Sequence, residues 1–174
     1  MNSMKNSNLY SVSVTKCINS EAGCYKIWIT KTDTELIIKQ LKPELKQPQI
    51  EQIENEMEFK DGMYCVYVGK SENLKQRISY HIKKNAKNST FIKSLNAIFN
   101  EEKDNMPNTD RIVSNAVFEY VYSSFLCISR SEYEARLINE KFRILNIHEN
   151  EYPIPLQITE ELTSLRKKLS RKGY

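Results

Sequence analysis

Long apolar runs are missing from this chain of 174 residues. A helix that spans a bilayer needs about 20 mainly apolar residues, and no segment approaches that length, so we expect no membrane span. The first residues, MNSMKNSNLYSVS, also lack the apolar stretch of a secretory signal peptide. We therefore do not expect export, and the predicted location is cytoplasmic.

Paired cysteines are missing as well. None of the cysteines belongs to a C-x-x-C pair, and none has a histidine nearby at the spacing of a zinc site. They stand at Cys17, Cys24, Cys65 and Cys127. We expect free, mostly buried thiols in a reducing compartment rather than a disulfide framework.

A complete phosphate-binding loop is the third absence. Gly69-Lys70-Ser71 follows a predicted strand, but this loop needs another glycine five residues before Gly69, and that position is Tyr64. We therefore expect no nucleotide cofactor.

Charge is nearly balanced overall, with a formal net charge of +4, but it is unevenly distributed. One acidic residue, Glu72, stands among seven basic ones between residues 70 and 93. These are Lys70, Lys75, Arg77, Lys83, Lys84, Lys87 and Lys93. A local positive field of this kind attracts polyanions, and phosphate contacts dominate nucleic-acid affinity.

The pattern of apolar residues predicts an α+β fold. The alternation of β-branched and aromatic residues predicts strands over 24–30, 63–68 and 112–125. An apolar residue every third or fourth position predicts helices after Ser71 as N-cap, over 91–100, over 131–146 and from 159 onward. Residues 32–34 are predicted to form a turn, 35–58 to have helical content interrupted by prolines, and 101–111 to form a loop. We expect a small three-stranded antiparallel sheet flanked by helices.

The predicted domain organisation has three parts. Residues 1–20 are expected to be a flexible N-terminal segment, and residues 21–150 a single domain with an insertion at about 31–61. Residues 151–174 are expected to be a basic tail, since five of the seven residues from Arg166 to Lys172 are positively charged. Their predicted use is phosphate contact without sequence specificity.

The strongest motif starts at Tyr67-Val68-Gly69. It continues with Lys70-Ser71, an arginine eight residues after the glycine (Arg77) and a histidine four residues later (His81). This pattern resembles the second half of the signature of the GIY-YIG nuclease family. Because Arg77 and His81 stand at i and i+4 of a predicted helix, their side chains share one face. A guanidinium suits phosphate oxygens and the charge of a phosphoryl transition state.

The first half of that signature has two candidates. Gly62-Met63-Tyr64 ends only three residues before Tyr67, too close for two antiparallel strands to turn. Gly23-Cys24-Tyr25 opens a strand of its own, and we prefer it. Its tyrosine lies 42 residues before Tyr67, so this alternative requires the insertion.

The last motif lies in the predicted helix 131–146. Glu134, followed by Leu137-Ile138 and by Asn146 twelve residues after the glutamate, resembles the family's metal-binding segment. Two capping boxes compete here. Ser131-x-x-Glu134 would explain the glutamate without a metal, whereas Ser129-x-x-Glu132 would leave Glu134 free.

The resemblance implies a metal-dependent endonuclease that hydrolyses DNA phosphodiester bonds, leaving 5′-phosphate and 3′-hydroxyl ends. It implies one Mg²⁺ or Mn²⁺ ion held by Glu134. Tyr25 would be the general base, with Tyr67 and His81 as partners or alternatives, and a tyrosine base needs a lowered pKa. Arg77, helped by Lys70, would stabilise the charge on the phosphate. The expected substrate-binding residues are Lys70, Ser71, Lys75, Lys83 and Lys84.

Several alternatives stay open. DNA is the expected partner, RNA stays open, and oligomeric state is undetermined. A restriction-type enzyme and a mobile-element or phage nuclease are both compatible with the sequence. A non-catalytic nucleic-acid-binding module that uses the basic 70–93 face is the main alternative function, and a protein-interaction domain ranks last.

Overall fold

The computed structural model describes residues 8–11, 18–102, 104–146 and 156–171. The predicted flexible segment and the start of the predicted tail lie partly outside this range. The strands are β1 (Asn8–Ser11), β2 (Gly23–Thr30), β3 (Phe59–Lys60), β4 (Met63–Ser71) and β5 (Val117–Tyr122). The helices are α1 (Lys31–Leu41), α2 (Gln47–Glu56), α3 (Leu74–Ile82), α4 (Thr90–Phe99), α5 (Pro107–Asn115), α6 (Arg130–Glu140) and α7 (Leu156–Arg171).

The strands form one sheet in the order β1-β5-β2-β4-β3, and every neighbouring pair is antiparallel. The α+β class is confirmed, but the predicted count of three strands is wrong. The three expected strands are the central β5, β2 and β4. β1 and the two-residue β3 extend the sheet at its two edges, where short pairings of this kind are hard to find from a local pattern.

Helices cover both faces of the sheet. Because successive side chains of a strand point to opposite faces, Tyr25, Ile27 and Ile29 of β2 all join the main core, which also contains buried residues of α1, α3, α4 and α7. Trp28, on the other face, packs in a smaller cluster with Leu137 and Ile138 of α6. The sheet therefore separates α6 from the other helices.

Helices α1 and α2 and strand β3 occupy the stretch between β2 and β4. The predicted turn over residues 32–34 is wrong, because these residues form the first turn of α1. Thr30 caps that helix by accepting a hydrogen bond from the Asp33 backbone N–H at 3.2 Å, and Asp33 and Thr34 are buried. α2 starts with a proline in its first turn, where the missing N–H costs nothing.

Two other boundaries differ from the sequence prediction. The second half of the predicted loop 101–111 and the start of the predicted strand 112–125 form α5 instead, whose buried residues Thr109, Ile112 and Val113 follow helical spacing. α6 ends at residue 140 rather than 146. After it, the backbone bonds to other elements, with the Leu145 N–H donating to the Val66 carbonyl at 3.0 Å. None of the described helices combines the length and apolar character needed to cross a membrane.

Candidate active site

Tyr25, Tyr67 and His81 meet on the main-core face of the sheet. The hydroxyl of Tyr25 lies 2.9 Å from Nε2 of His81, and the rings of Tyr25 and Tyr67 are 6.2 Å apart between centroids. Tyr64 lies elsewhere on β4 and packs on Phe59 at 4.8 Å. The structure therefore places Tyr25, and not Tyr64, beside Tyr67 and His81.

Gly69 leaves room for the ring of Tyr25. A Cβ atom at position 69 would lie 2.6 Å from the Tyr25 hydroxyl oxygen and 2.7 Å from its Cζ, closer than van der Waals contact allows. Gly23 has a similar role, since a Cβ there would lie 2.2 Å from the Val121 carbonyl oxygen. Both motif glycines are thus required by close packing around the same tyrosine-bearing strand.

His81 is held from both sides of its ring. Nδ1 lies 2.6 Å from Oγ of Ser89, and that oxygen also accepts a hydrogen bond from the Ile92 N–H as the N-cap of α4. His81 is fully buried, and burial, with a smaller contribution from Arg77, lowers its pKa from 6.5 to about 3. The imidazole is therefore neutral at neutral pH.

The tyrosine hydroxyls are protonated in this environment. Burial raises the pKa of Tyr25 well above 10, and the neighbouring Tyr67 raises it further, while Arg77 opposes the shift. Burial also raises the pKa of Tyr67, opposed first by Arg166 and then by Arg77. The lowered pKa that the sequence analysis required of a tyrosine base is thus not produced by these side chains alone.

Glu134 pairs with Lys70 at the end of β4. Their Oε2 and Nζ atoms are 2.9 Å apart, and Lys70 also donates to the Ser131 hydroxyl at 3.0 Å. Ser129 is the N-cap of α6, since its Oγ accepts from the Glu132 N–H. Of the two candidate capping serines, the structure therefore uses Ser129, which leaves Glu134 without a capping role.

The side chains here suit a metal held by one carboxylate. No group of three or more histidine, cysteine or acidic residues that could hold an ion occurs in the described part of the chain. Mg²⁺ is commonly bound through one or two carboxylates, with water and substrate phosphate completing its coordination. The half-buried Glu134, with 13% of its side chain exposed, fits that arrangement.

A cleft of about 580 Å³ opens next to this pair. Its charged lining comprises Lys70, Glu72, Arg77 and Arg130. Arg77 donates to the Asn88 carbonyl at 3.1 Å. Arg130, which the sequence analysis did not single out, donates to the Ser71 carbonyl at 2.9 Å and pairs with Glu72. Three basic side chains thus converge on the mouth of the site.

The predicted substrate-binding residues are only partly brought together. Lys70 and Ser71 line the cleft, whereas Lys75 and Lys83 are exposed beyond it and Lys84 forms an ion pair with Asp110 at 2.7 Å. The predicted N-cap role of Ser71 is wrong.

The helix is capped two residues later. The Asn73 side chain accepts from the Gln76 N–H at 2.9 Å.

Asn146 joins the segment after α6 to β4. Its Oδ1 accepts from the Val68 N–H and its Nδ2 donates to the Val68 carbonyl, each at 2.8 Å. Val68, which forms both hydrogen bonds, stands between Tyr67 and Gly69 of the motif. The asparagine therefore fixes the strand that carries the motif.

Arg166 lies in a different environment from the one that a basic tail implies. It is partly buried rather than part of a solvated tail, and its guanidinium contacts Ser94 on α4 and the Leu145 carbonyl. The sequence contained a signal for this burial. Ile158 and Leu162 precede Arg166 by eight and four residues, so all three lie on one helical face, and both apolar residues are buried. Lys167 and Lys168 are exposed, while Lys172 lies outside the described residues.

The comparison with protein families gives one match. The model of the GIY-YIG catalytic domain matches residues 23–168, a span that includes every residue described above as part of the site. No curated protein and no solved structure matched the chain.

Proposed function

Since this chain belongs to the GIY-YIG family of nuclease domains, we propose that it is a divalent-metal-dependent endonuclease that hydrolyses DNA phosphodiester bonds. The observation that carries the proposal is that two pairs meet at adjacent residues of β4, because Tyr25 packs against Gly69 and the next residue, Lys70, lines the basic cleft. The pairs are the Tyr25–His81 hydrogen bond and the Lys70–Glu134 ion pair. Together they supply the groups that phosphodiester hydrolysis requires.

The basic side chains bind and orient the phosphate. Arg77 is anchored through Asn88 and lines the cleft, so its position is fixed before the substrate arrives. Lys70 adds a positive charge at the end of β4. Fixed donors of this kind stabilise the charge that develops on the phosphoryl oxygens in the transition state.

Glu134 would hold the divalent ion, which when bound adds positive charge to the scissile phosphate. The ion pair with Lys70 holds the carboxylate next to a residue that lines the cleft. Mg²⁺ or Mn²⁺ suits the single carboxylate because both prefer oxygen ligands.

Tyr25 and His81 orient the water. The neutral His81 keeps one ring nitrogen free to accept the Tyr25 proton, since its pKa lies near 3. The hydroxyl oxygen of Tyr25 then directs a lone pair at the water. As the water attacks phosphorus, its proton would pass to the Tyr25 oxygen while the Tyr25 proton passes to Nε2 of His81, so the tyrosinate that burial disfavours does not form as a separate species.

The test is cleavage of supercoiled plasmid DNA by the purified protein with Mg²⁺, with Mn²⁺ and with a chelator. We expect cutting that depends on the metal, with losses of about 10²-fold or more in Glu134→Gln because the ion would lose its protein ligand. Glu132→Gln is the matched control. It lies on the same helix and forms an exposed pair with Arg136, so it should cut normally.

The main alternative function predicts a different result. A non-catalytic binding module would retain plasmid in a salt-sensitive manner without cutting it in any metal, and that outcome would reject the nuclease proposal. We further propose a restriction-type or mobile-element setting. A reproducible fragment pattern from a defined DNA would support site-specific cutting, and a smear would argue against it.

A further inference from the structure

Arg166 reaches the active site from the C-terminal helix. Its Nε donates to Oγ of Ser94 at 2.8 Å, and its Nη2 donates to the Leu145 carbonyl at 3.1 Å. Both partners flank Tyr67. Leu145 bonds through its own N–H to the carbonyl of Val66, and Tyr67 packs on Phe91, one turn before Ser94 on α4. The guanidinium is therefore held by two segments that both contact β4 at or next to Tyr67.

The charge of Arg166 is not neutralised by a carboxylate. Within the described ranges its hydrogen-bond partners are a hydroxyl and a carbonyl, and it forms no ion pair. Burial lowers its pKa to about 10, so it remains charged at neutral pH. A partly buried cation with neutral partners favours negative charge on whatever oxygen it faces.

Five ionisable groups on four elements contact Tyr67 or affect its pKa. They are Tyr25 on β2, Arg77 and His81 on α3, Glu134 on α6 and Arg166 on α7. Burial has the largest effect on the Tyr67 pKa and raises it, and Arg166 has the next largest and lowers it. Arg77 acts in the same direction as Arg166, and Glu134 opposes both.

We propose that Arg166 is a positioning residue of the active site that acts through Tyr67, by holding a positive charge beside the Tyr67 hydroxyl and favouring negative charge on that oxygen. The catalytic consequence rests on the proposed nuclease function. There, Tyr67 would give up its proton more readily than its burial alone allows. The C-terminal helix is then part of the catalytic unit rather than an appended basic tail.

The direct test measures the ionisation of Tyr67 without using activity. The protein is labelled with 3,5-difluorotyrosine, whose low intrinsic pKa brings the titration into a mild pH range, and is followed by ¹⁹F NMR. Tyr67→Phe assigns the resonance. In Arg166→Met we expect the Tyr67 pKa to rise by about one unit or more, because a nearby opposite charge typically shifts a pKa by that much.

The controls separate charge from packing. Lys167→Met and Lys168→Met remove exposed charges from the same helix and should leave the Tyr67 titration unchanged. Arg166→Lys keeps the charge and should titrate close to wild type. The proposal is overturned if the Tyr67 pKa is unchanged in Arg166→Met, or if it rises equally in Arg166→Lys, since the second result would reflect looser docking of α7.

Plasmid cleavage supplies the second readout. If the wild type cuts, Arg166→Met should reduce kcat with little change in KM, and equal kcat values would contradict the catalytic part of the proposal. If the wild type does not cut, the nuclease function fails. The NMR titration still decides whether Arg166 controls Tyr67.

Discussion

The buried His81 makes the stability of the fold depend on pH in a predictable direction. Its pKa is about 3 in the folded chain, against 6.5 for an ordinary histidine. Between these values the unfolded chain binds a proton that the folded chain does not. The contribution of His81 is therefore fully present above pH 6.5 and is lost progressively as the pH falls toward 3.

The size of the loss in stability depends on how far the pH lies below the unfolded pKa of 6.5. At pH 5, about 1.5 units below the unfolded pKa, protonation of His81 stabilises the unfolded chain. At about 1.36 kcal/mol per unit, this stabilisation is worth about 2 kcal/mol. Lowering the pH from 7 to 5 should thus reduce the free energy of unfolding by about 2 kcal/mol through His81 alone. That is a large share of the stability of a typical domain.

Urea unfolding at pH 7 and pH 5 measures this loss. Trp28 is the single tryptophan and is buried at 2% exposure, so its fluorescence reports the transition. The comparison is between His81→Asn and its parent, both carrying His148→Gln so that His81 is the sole histidine of the parent. Carboxylates contribute equally to the two proteins and cancel in the difference.

Between pH 7 and pH 5, the free energy of unfolding should fall by about 2 kcal/mol less in His81→Asn than in its parent. Equal pH dependence in the two proteins would show that His81 takes up a proton in the folded state. The neutral, proton-accepting role assigned to it in the mechanism would then be untenable.

Two further predictions concern catalysis and packing. Arg77→Ala should cut DNA about 10²–10³-fold more slowly while most DNA affinity is retained, because Arg77 is one phosphate contact among several but a main source of transition-state charge. Arg136→Ala, on the exposed face of α6, is the control. Near-normal cutting by Arg77→Ala with an unchanged melting temperature would contradict a catalytic role for Arg77. Gly69→Ala should lower both the melting temperature and the cleavage rate, since its Cβ would lie 2.6 Å from the Tyr25 hydroxyl. A crystal structure of this variant with the Tyr25–His81 hydrogen bond intact would refute the packing argument.

Local periodicity was enough to predict the elements that carry most of the site. The helix predicted after Ser71 rests on apolar residues at every fourth position, Leu74, Ile78 and Ile82. It is present as α3, in which Leu74 and Ile78 are buried. The same periodicity places Arg77 and His81 on one face, and the structure puts His81 in the core and Arg77 at the cleft. These features depend on residues close in sequence, so a sequence pattern contains them.

Features set by distant contacts could not be predicted in this way. Residues 142–146 have helical composition, yet they leave the helix because Asn146 and Leu145 bond to the edge of β4. The register of β2 on β4 shifts between Ile27 and Trp28, and such a bulge cannot be read from the strand sequences alone.

The charges of the assembled site indicate the order in which its ligands bind. Four positive charges stand against two carboxylates, while His81 is neutral. The cations are Lys70, Arg77, Arg130 and Arg166, and the carboxylates are Glu72 and Glu134. The site alone is therefore positive and repels a divalent cation, whereas a DNA phosphate is attracted to it. Once the phosphodiester is bound, its oxygens and Glu134 together offer the ion both negative charge and ligands. DNA binding should thus occur without metal, and DNA should tighten metal binding by the same factor by which metal tightens DNA binding.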